Sequence, residues 1–388
     1  MNIYLNQPFA ISSLGLSRQE AADSLKCNSQ KYFSRLEGFL PGSGASDLVY
    51  LPVESGDGEC RNNVLIDYCI SANSELILEI KRRYSAERIA VIAGTSTSSI
   101  TEVENHLKPF YAPGKPLPYD PDIIEISNIS THVKAQLELA GPAYTIATAC
   151  SSAARAVISG AALLKSDLCD AVIAVSSDSL SKISIGGFNA LGALSSEHCR
   201  PFHRDRSGIN IGEGAGFTVM TKEQLSNDCI RLAGYGSSSD AYHISSPSPD
   251  GRGAEAAIRM ALEKSGLKPE DIGYINAHGT GTKLNDSMEG ACMSRIFGSR
   301  IPCSSSKHLT GHTLGSCGLV ECFICSLIMQ DRIQIPYHPY AKEEYQEEFP
   351  ELRLADHAGM ECEGKYIMSN NFAFGGNNAS LIFGPAGD

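Results

Sequence analysis

The chain has 388 residues, 42% hydrophobic and 20% charged, a soluble globular composition in a length too great for one small core. Its 32 basic and 44 acidic residues give a formal net charge of −12, spread rather than blocked, which argues against nucleic acid and against a basic membrane-binding face. Thirteen cysteines at irregular spacings fit free thiols in the cytoplasm, Met1 to Leu14 lacks the pattern of a secretory signal, and no apolar run reaches the roughly 20 residues of a membrane helix.

In chain order, Ile3 to Ser12 reads as a strand and Ser17 to Leu25 as an amphipathic helix. Residues 40–62 are rich in Gly, Ser and Asp and read as loop. Leu65 to Tyr84 has helical spacing, Arg88 to Ala93 is a buried strand, and Asp122 to Leu139 is a helix. The run Tyr144-Thr145-Ile146 is a short buried strand, and the small apolar residues from Ala153 to Leu164 form a helix after it. Asp170 to Ser176 is again a strand, Ile185 to Leu194 is mixed, and Phe217 to Thr221 is a strand after a glycine run. That run, Gly212 to Gly216, precedes a strand and is no dinucleotide fingerprint. From Asn227 the pattern resumes: strand Ile230 to Ser238, helix Arg252 to Ser265, strand Ile272 to Asn276, helix Leu284 to Ile296, extended Ile301 to Ser305, helix Leu314 to Met329, and strands Tyr366 to Asn371 and Ala379 to Phe383. Alternating strands and helices, with many strands apolar on both faces, predict an α/β architecture of parallel or mixed sheets covered by helices. Cys322 and Cys325 lie inside an apolar run and read as helix core rather than a metal or redox pair.

Cys150 falls where a strand stops and a helix begins. The unpaired N–H groups and dipole of a helix N-terminus stabilise a thiolate and are expected to take its pKa below the free value of roughly 8.5. The same N–H groups can receive an oxyanion. Cys150 is therefore either a buried structural thiol or a nucleophile, and the second reading needs histidines from elsewhere. Three stretches of the second half supply polar groups that a core does not require. Asn276-Ala277-His278-Gly279-Thr280-Gly281-Thr282 puts His278 just after a strand, exposed where open α/β sheets bind ligands, with Asp286 and Glu289 beyond it. Lys307 and His312 precede an apolar helix, whose N-terminus disfavours imidazolium at His312. Ser369 to Asn377 opens from a strand into a glycine-rich loop carrying Phe372 and Phe374.

Together these residues resemble the elongating β-ketoacyl-acyl carrier protein synthases, and more widely the ketosynthases of polyketide assembly. The matching segments are Thr148 to Ser152, Arg200-Pro201-Phe202, Gly212 to Gly216, Asp240 to His243, Asn276 to Thr282, Lys307 and His312 with Glu321, and Phe372 to Gly376. The resemblance implies a thiolase-like fold, two pseudo-duplicated halves (1–226 with the cysteine, 227–388 with the histidines) in a five-layer α-β-α-β-α arrangement. It implies decarboxylative condensation of an acyl chain on Cys150 with malonyl-carrier protein. By the same resemblance, Cys150 and Phe374 N–H groups form the oxyanion hole, Phe374 is a gate, His278 and His312 hold the malonyl thioester oxygen, Lys307 supports His312 and pairs with Glu321, and Thr280 and Thr282 hold the pantetheine arm. Asn276, Glu321 and Ser369 stand where some relatives hold a monovalent cation; no metal and no cofactor is assigned. The partners implied are acyl- and malonyl-loaded acyl carrier protein and a second subunit, in a homodimer or in a heterodimer with a chain-length factor, in fatty acid or polyketide (aryl polyene) synthesis. The competing readings are a chain-length-factor subunit, which usually lacks the cysteine, and a thiolase acting on acyl-coenzyme A, disfavoured by Lys307-x4-His312. Ala153 and Ala154, Ala373 and His203 depart from the family's usual glycines and acid.

Overall fold

The computed structural model describes residues 1–37, 45–56, 59–107, 125–345 and 347–387. The first half runs β1 (Tyr4–Ile11), α1 (Arg18–Lys26), β2 (Phe33–Leu36), β3 (Ser46–Val49), α2 (Arg61–Ala72), α3 (Ser74–Arg83), β4 (Ile89–Gly94), α4 (Ile100–Leu107), α5 (Asn128–Gln136), β5 (Ala143–Ile146), α6 (Ser152–Lys165), β6 (Ala171–Asp178), α7 (Lys182–Ala190) and β7 (Gly214–Thr221). It continues as β8 (Cys229–Ser239), α8 (Arg252–Ser265), β9 (Ile272–Asn276), α9 (Lys283–Phe297), β10 (Cys303–Ser304), α10 (Lys307–Thr310), α11 (Cys317–Asp331), β11 (Tyr366–Ala373) and β12 (Asn377–Pro385).

Ten strands make one mixed sheet in the order β10-β9-β11-β12-β8-β1-β7-β6-β4-β5. β4 is parallel to β5 and β6, and β9 to β10 and β11. Beyond β6, β7 and β1 run antiparallel; beyond β11, β12 and β8 do the same. The last five strands thus repeat the order and sense of the first five, and β1 and β8 join the two sets edge to edge.

The two-residue period of the strands decides the layers. Ile89, Val91 and Ala93 face an outer core with Leu65, Ile77 and Val133 of α2, α3 and α5. Their neighbours Ala90 and Ile92 face a central core with Val157 of α6 and Leu327 of α11. That same central core takes Tyr274, Ile367 and Leu381 from the second set of strands. On the far side, Ile258 and Met293 of α8 and α9 cover Ile275 and Met368. The layers are therefore α-β-α-β-α, with α6 and α11 buried in the middle. A Cβ added at Gly318 would lie 2.4 Å from the backbone nitrogen of Ala154, so a glycine lets these two helices close. The 18-residue stretch Leu314–Asp331 is apolar enough to cross a membrane by composition, but 83% of it is buried here, between the two five-stranded sets.

Several boundaries differ from the sequence reading. The stretch 40–62 contains β3 and the start of α2, because Leu48 and Val49 are buried despite their polar surroundings. The expected single helix over 65–84 is two, α2 and α3, broken at Asn73, whose side chain bonds back to the Cys69 carbonyl. The expected helix over 122–139 is α5, nine residues long; residues 122–124 lie outside the described segments. β5 is a half-buried edge strand rather than a buried one. The mixed stretch 185–194 is largely α7, started by the Ser181 hydroxyl accepting from the Ser184 N–H. Gly214 and Gly216 lie inside β7. The helix expected from Leu314 begins as a 3-10 turn, Leu314–Ser316, before α11.

Candidate active site

Cys150 sits in the turn between β5 and α6. Ala149, just before it, has φ 51, in the left-handed region that non-glycine residues rarely occupy. The turn is held by the Ser152 hydroxyl, which donates to the Ala149 carbonyl (2.6 Å) and accepts from the Thr148 N–H (2.9 Å). The backbone N–H groups of Phe374 and of Cys150 itself both reach the Cys150 sulfur. They sit where an oxyanion formed beside that sulfur would need donors.

His278 follows β9 on a loop whose N–H groups from His278 to Gly281 turn toward two acids of α9. Glu289 accepts from His278 and Gly279 (2.7 Å each), and Asp286 accepts from Thr280 (3.0 Å) and Gly281. These acids explain their own spacing: three residues apart, they share one face of a helix. His312 is stitched into a separate loop, its N–H donating to the Asn210 carbonyl (2.6 Å) and its carbonyl accepting from Gly212 (3.1 Å).

The Cys150 sulfur and a ring nitrogen of each histidine all lie within 4.8 Å of one another. The two imidazoles meet edge to face, centroids 5.5 Å apart. Their tautomers follow from their neighbours. Lys307 Nζ, 3.3 Å from His278 Nδ1, can only donate, and the Leu314 N–H donates to His312 Nδ1 at 3.1 Å. Both Nδ1 atoms accept, so both neutral rings carry their proton on Nε2. A cysteine and two histidines are also the donor types of a zinc site. Here the outer partners turn each ring into a donor, whereas a metal-ligating imidazole needs its outer nitrogen to donate. The set fits a developing oxyanion better than a cation.

Burial, the Lys307 charge and His312 hold the His278 ring well below the ordinary histidine range, and burial and Lys307 do the same for His312. The rings are neutral through this surrounding; the helix end expected to do it at His312 begins five residues later. For the cysteine the expectation reverses. Burial pushes the Cys150 thiol up to about 11, and Lys307 with the two N–H groups offsets only part of that. A helix terminus stabilises a thiolate in water's reach, but this sulfur is buried, 6% of the residue being exposed.

Lys307 is itself 1% exposed and bonds Glu321 at 2.6 Å. Burial works to strip its proton, but Glu321 outweighs it, and the ammonium is held above the usual lysine range. Its other contact is His278; no hydrogen bond joins it to His312, whose Nδ1 is taken by Leu314. The expected support of His312 by Lys307 is thus replaced by support of His278. Glu321 also accepts from Asn371 (2.6 Å), while Asn276 reaches Ser369 at 3.5 Å. The carboxylate at the position linked to a monovalent cation already has its counter-charge in Lys307.

A cavity of about 720 Å³ opens on Cys150, His278, His312 and Phe374 and runs past Thr280 and Thr282 to Arg204, Lys283 and Leu284. His278 is 1% exposed, buried at the cavity's inner end rather than at an open sheet edge. The Thr280 and Thr282 hydroxyls lie 2.9 Å apart along the wall. Phe374 packs on Phe188 of α7, centroids 5.6 Å apart. Ala373 has φ −104 and ψ 156, ordinary extended geometry that needs no glycine. His203 is buried and reaches Glu344 at 3.2 Å, so an acid from elsewhere sits beside it.

Sequence reasoning missed Arg206. Its buried guanidinium makes a two-pronged pair with Glu348 (2.6 and 2.7 Å) and donates to the carbonyls of Thr282 and Lys283 and to Ser287. It clamps the wall that carries Thr280 and Thr282. Its only signal was a position four residues after Phe202, which by itself has no chemical meaning.

Comparison with known proteins agrees with this geometry. Residues 78–225 match the N-terminal domain of β-ketoacyl synthases and residues 230–340 the C-terminal domain. A 3-oxoacyl-[acyl-carrier-protein] synthase 2 of Rhizobium meliloti is 36% identical over 294 residues, 71% of this chain and 66% of that protein. That match therefore spans just under two thirds of the relative's length. The enzyme of the same name from Vibrio cholerae is 31% identical over 83% of each chain. Among solved structures, the ketosynthase ApeO in complex with its chain length factor ApeC, from Xenorhabdus doucetiae, superposes with a TM-score of 0.93 at 39% identity, covering 99% of this chain and 98% of that one. The architecture is the thiolase-like ketosynthase fold. The chain belongs to the β-ketoacyl synthase family.

Proposed function

We propose that the protein is a β-ketoacyl-acyl carrier protein synthase. The Cys150 sulfur attacks the thioester of an acyl-carrier, forming an acyl-cysteine and releasing the carrier thiol. The malonyl thioester then places its carbonyl oxygen on the two Nε2–H donors. Carbon dioxide leaves and the electron pair becomes an enolate held by His278 and His312. The enolate carbon attacks the acyl-cysteine carbonyl, whose oxygen collects charge at the Phe374 and Cys150 N–H groups, and the cysteine leaves as thiolate. No strong base is needed, because decarboxylation supplies the carbanion. Thr280 and Thr282, clamped by Arg206, hold the amide-rich pantetheine arm, and Phe374 gates the acyl chain.

The observation that carries this reading is the pair of neutral N–H donors facing one thiol at the end of a cavity. Cys317 weighs against a thiolase. Although it touches Cys150, its S–H points at the Cys150 and Leu314 carbonyls (3.1 and 2.9 Å), away from proton-transfer work on substrate. Cys150 weighs against a chain-length-factor role. We take the two five-stranded sets as halves, 1–226 bearing the nucleophile and 227–388 the histidines. We place the protein in the cytoplasm, since all thirteen cysteines are unpaired. The likeness to the Xenorhabdus ketosynthase favours a heterodimer with a ketosynthase-like chain-length factor, and acyl carrier protein as donor, in polyketide synthesis of the aryl-polyene kind.

The test is condensation of acyl- and malonyl-loaded carrier protein by the purified subunit, alone and with a chain-length-factor partner. Product formed by wild type and abolished in Cys150→Ala is the expected result. Equal product from Cys150→Ala overturns the assignment.

A further inference from the structure

Beyond Cys150 the cavity is lined in two ways. Thr280, Thr282, Lys283 and Arg204 are polar, while Phe188, Leu191 and Ala193 form an apolar stretch that comes from α7 and the turn after it. The interior of α7 does little to make that stretch firm. The helix has nine residues, of which only Ile185 is buried, and Ile183 and Leu191 near its two ends are 58% and 57% exposed. Gly186 and Gly187, both poor helix formers, sit in its middle. A Cβ at Gly187 would meet nothing within 4 Å, so no packing demands a glycine there. A helix so short and so thinly packed is marginal by itself.

Its ends hold it instead. At the C-terminus Gly192, with φ 64, lets the Ala193 N–H donate to the Phe188 carbonyl (2.9 Å), while its own N–H donates to the Asn189 carbonyl (3.0 Å), the two bonds of a glycine-closed helix. At the N-terminus the Ser181 hydroxyl accepts from the Ser184 N–H at 3.1 Å. The helix has no acid in its own first turn. Its first two N–H groups, of Lys182 and Ile183, donate to the two carboxylate oxygens of Glu104 on α4, at 3.0 and 2.6 Å. Thr101, three residues before Glu104 and on the same face of α4, donates its hydroxyl to the Leu180 carbonyl at 2.9 Å. α4 thus supplies from outside the acceptors and the negative charge that a helix N-terminus lacks. At the other end Phe188, whose carbonyl closes the last turn, packs its ring on Phe374.

We propose that Glu104 is a positioning residue for acyl-chain selection: by capping α7 from α4 it holds Phe188 against the gate, so that the apolar stretch of the cavity is formed before an acyl chain arrives. Phe374 reaches the sulfur through its N–H, and Phe188 lies one ring farther out. A long chain therefore meets the wall that Glu104 orders, and a short one does not sense it. Without the two bonds from Glu104, α7 frays from its N-terminus and the Phe188 ring loses its fixed place. A long chain must then order the wall as it binds, which weakens its binding. Gly186 and Gly187 keep the helix dependent on that cap. Glu104 bonds neither histidine and neither oxyanion donor, so the malonyl half-reaction does not depend on it.

The substrate half of this inference rests on the ketosynthase reading; the cap does not. The experiment measures acylation of Cys150 by butyryl- and dodecanoyl-loaded carrier protein, read by intact mass. Beside it are read carbon dioxide release from malonyl-carrier and hydrogen–deuterium exchange of the α7 amides. In Glu104→Ala, acylation by the dodecanoyl carrier is expected to slow about tenfold, the scale of losing a helix cap. Butyryl transfer and carbon dioxide release should stay unchanged, and the α7 amides should exchange faster. Glu104→Gln keeps one acceptor and should show the same changes at smaller size. Adding Gly187→Ala to Glu104→Ala strengthens α7 without meeting any neighbour, and should restore both the exchange and the dodecanoyl rate. A merely structural role slows both chains alike, so a ratio of the two rates equal to that of wild type overturns the proposal. Unchanged exchange in Glu104→Ala overturns it too. A wild type that takes neither chain sinks the ketosynthase reading instead, and faster exchange reversed by Gly187→Ala then supports the cap by itself.

Discussion

At the scale of single residues, the site works by which atoms are allowed to donate. On the proposed mechanism, His278→Ala removes one of two donors to the enolate oxygen. Loss of one such donor costs about 10²–10³ in rate, so decarboxylation of malonyl-carrier should fall by that factor while Cys150 still acylates. Measuring carbon dioxide release and acyl-enzyme mass on one sample separates the two steps; lost acylation would make His278 the base for the thiol. Both rings are held far below the ordinary histidine range, so the rate of decarboxylation should show no histidine titration between about pH 6.5 and 8. A pH–rate profile of the malonyl half-reaction reads this directly. Lys307 and Glu321 carry a different risk. Glu321→Ala leaves a buried ammonium unpaired, which costs about 3–5 kcal/mol, and denaturant melts should show it. The double replacement of Lys307 and Glu321 by Met and Leu should recover most of that stability and none of the activity.

At the scale of elements, what positions the site is contact between backbones. Gly318→Val should wedge α11 off Ala154 and lower stability by about 1–3 kcal/mol, the usual cost of overpacking. Because the same helices begin beside Cys150 and His312, turnover should fall more than stability alone predicts. Arg206→Met should spare acylation chemistry and loosen the Thr280–Thr282 wall, raising KM for malonyl-carrier more than it lowers kcat; equal effects on both would place Arg206 outside substrate binding. The elements most legible in the sequence were those whose ends are chemically marked. α8 closes at Gly266, whose φ of 70 suits glycine, and its bounds agree residue for residue. Cys150, His278, His312 and the Lys307–Glu321 pair were also legible, since their motifs are local. The assignment of Lys307 to His278 was not. It joins residues 29 apart, and only the packing of α10 against the β9 loop decides which histidine Lys307 faces. The thiol's protonation was illegible for the same reason: a helix end is visible in letters, and burial by segments distant in the chain, such as those carrying Cys317 and Ala373, is not.

At the scale of the molecule, two five-stranded sets share one core and one reaction. The repeat was legible only through the family resemblance and not from the letters themselves, because strand order is set by pairings across hundreds of residues. Its stability should be acid-sensitive. His278, His308, His312 and His338 are all held below their ordinary range by burial, so the unfolded chain binds protons that the folded one refuses. Stability is then full above about pH 6.5 and falls as pH drops below it. Urea midpoints measured at pH 7.5 and 5.5 should differ in that sense, the four histidines outweighing the buried acids Glu289 and Asp178, which burial raises to about 8 and about 6 and which act the other way; a midpoint that rises on acidification would contradict that balance.

The seam between β1 and β8 carries a last implication. The sulfur belongs to a stretch made early in synthesis, while both imidazoles, their lysine and the Phe374 amide arrive more than a hundred residues later. A ribosome-bound chain that has folded only the set β1, β4, β5, β6 and β7 holds a thiol without the two imidazoles. On the proposed mechanism, competence for condensation is thus a late event in the protein's birth, and a half-made copy has no means to consume malonyl units.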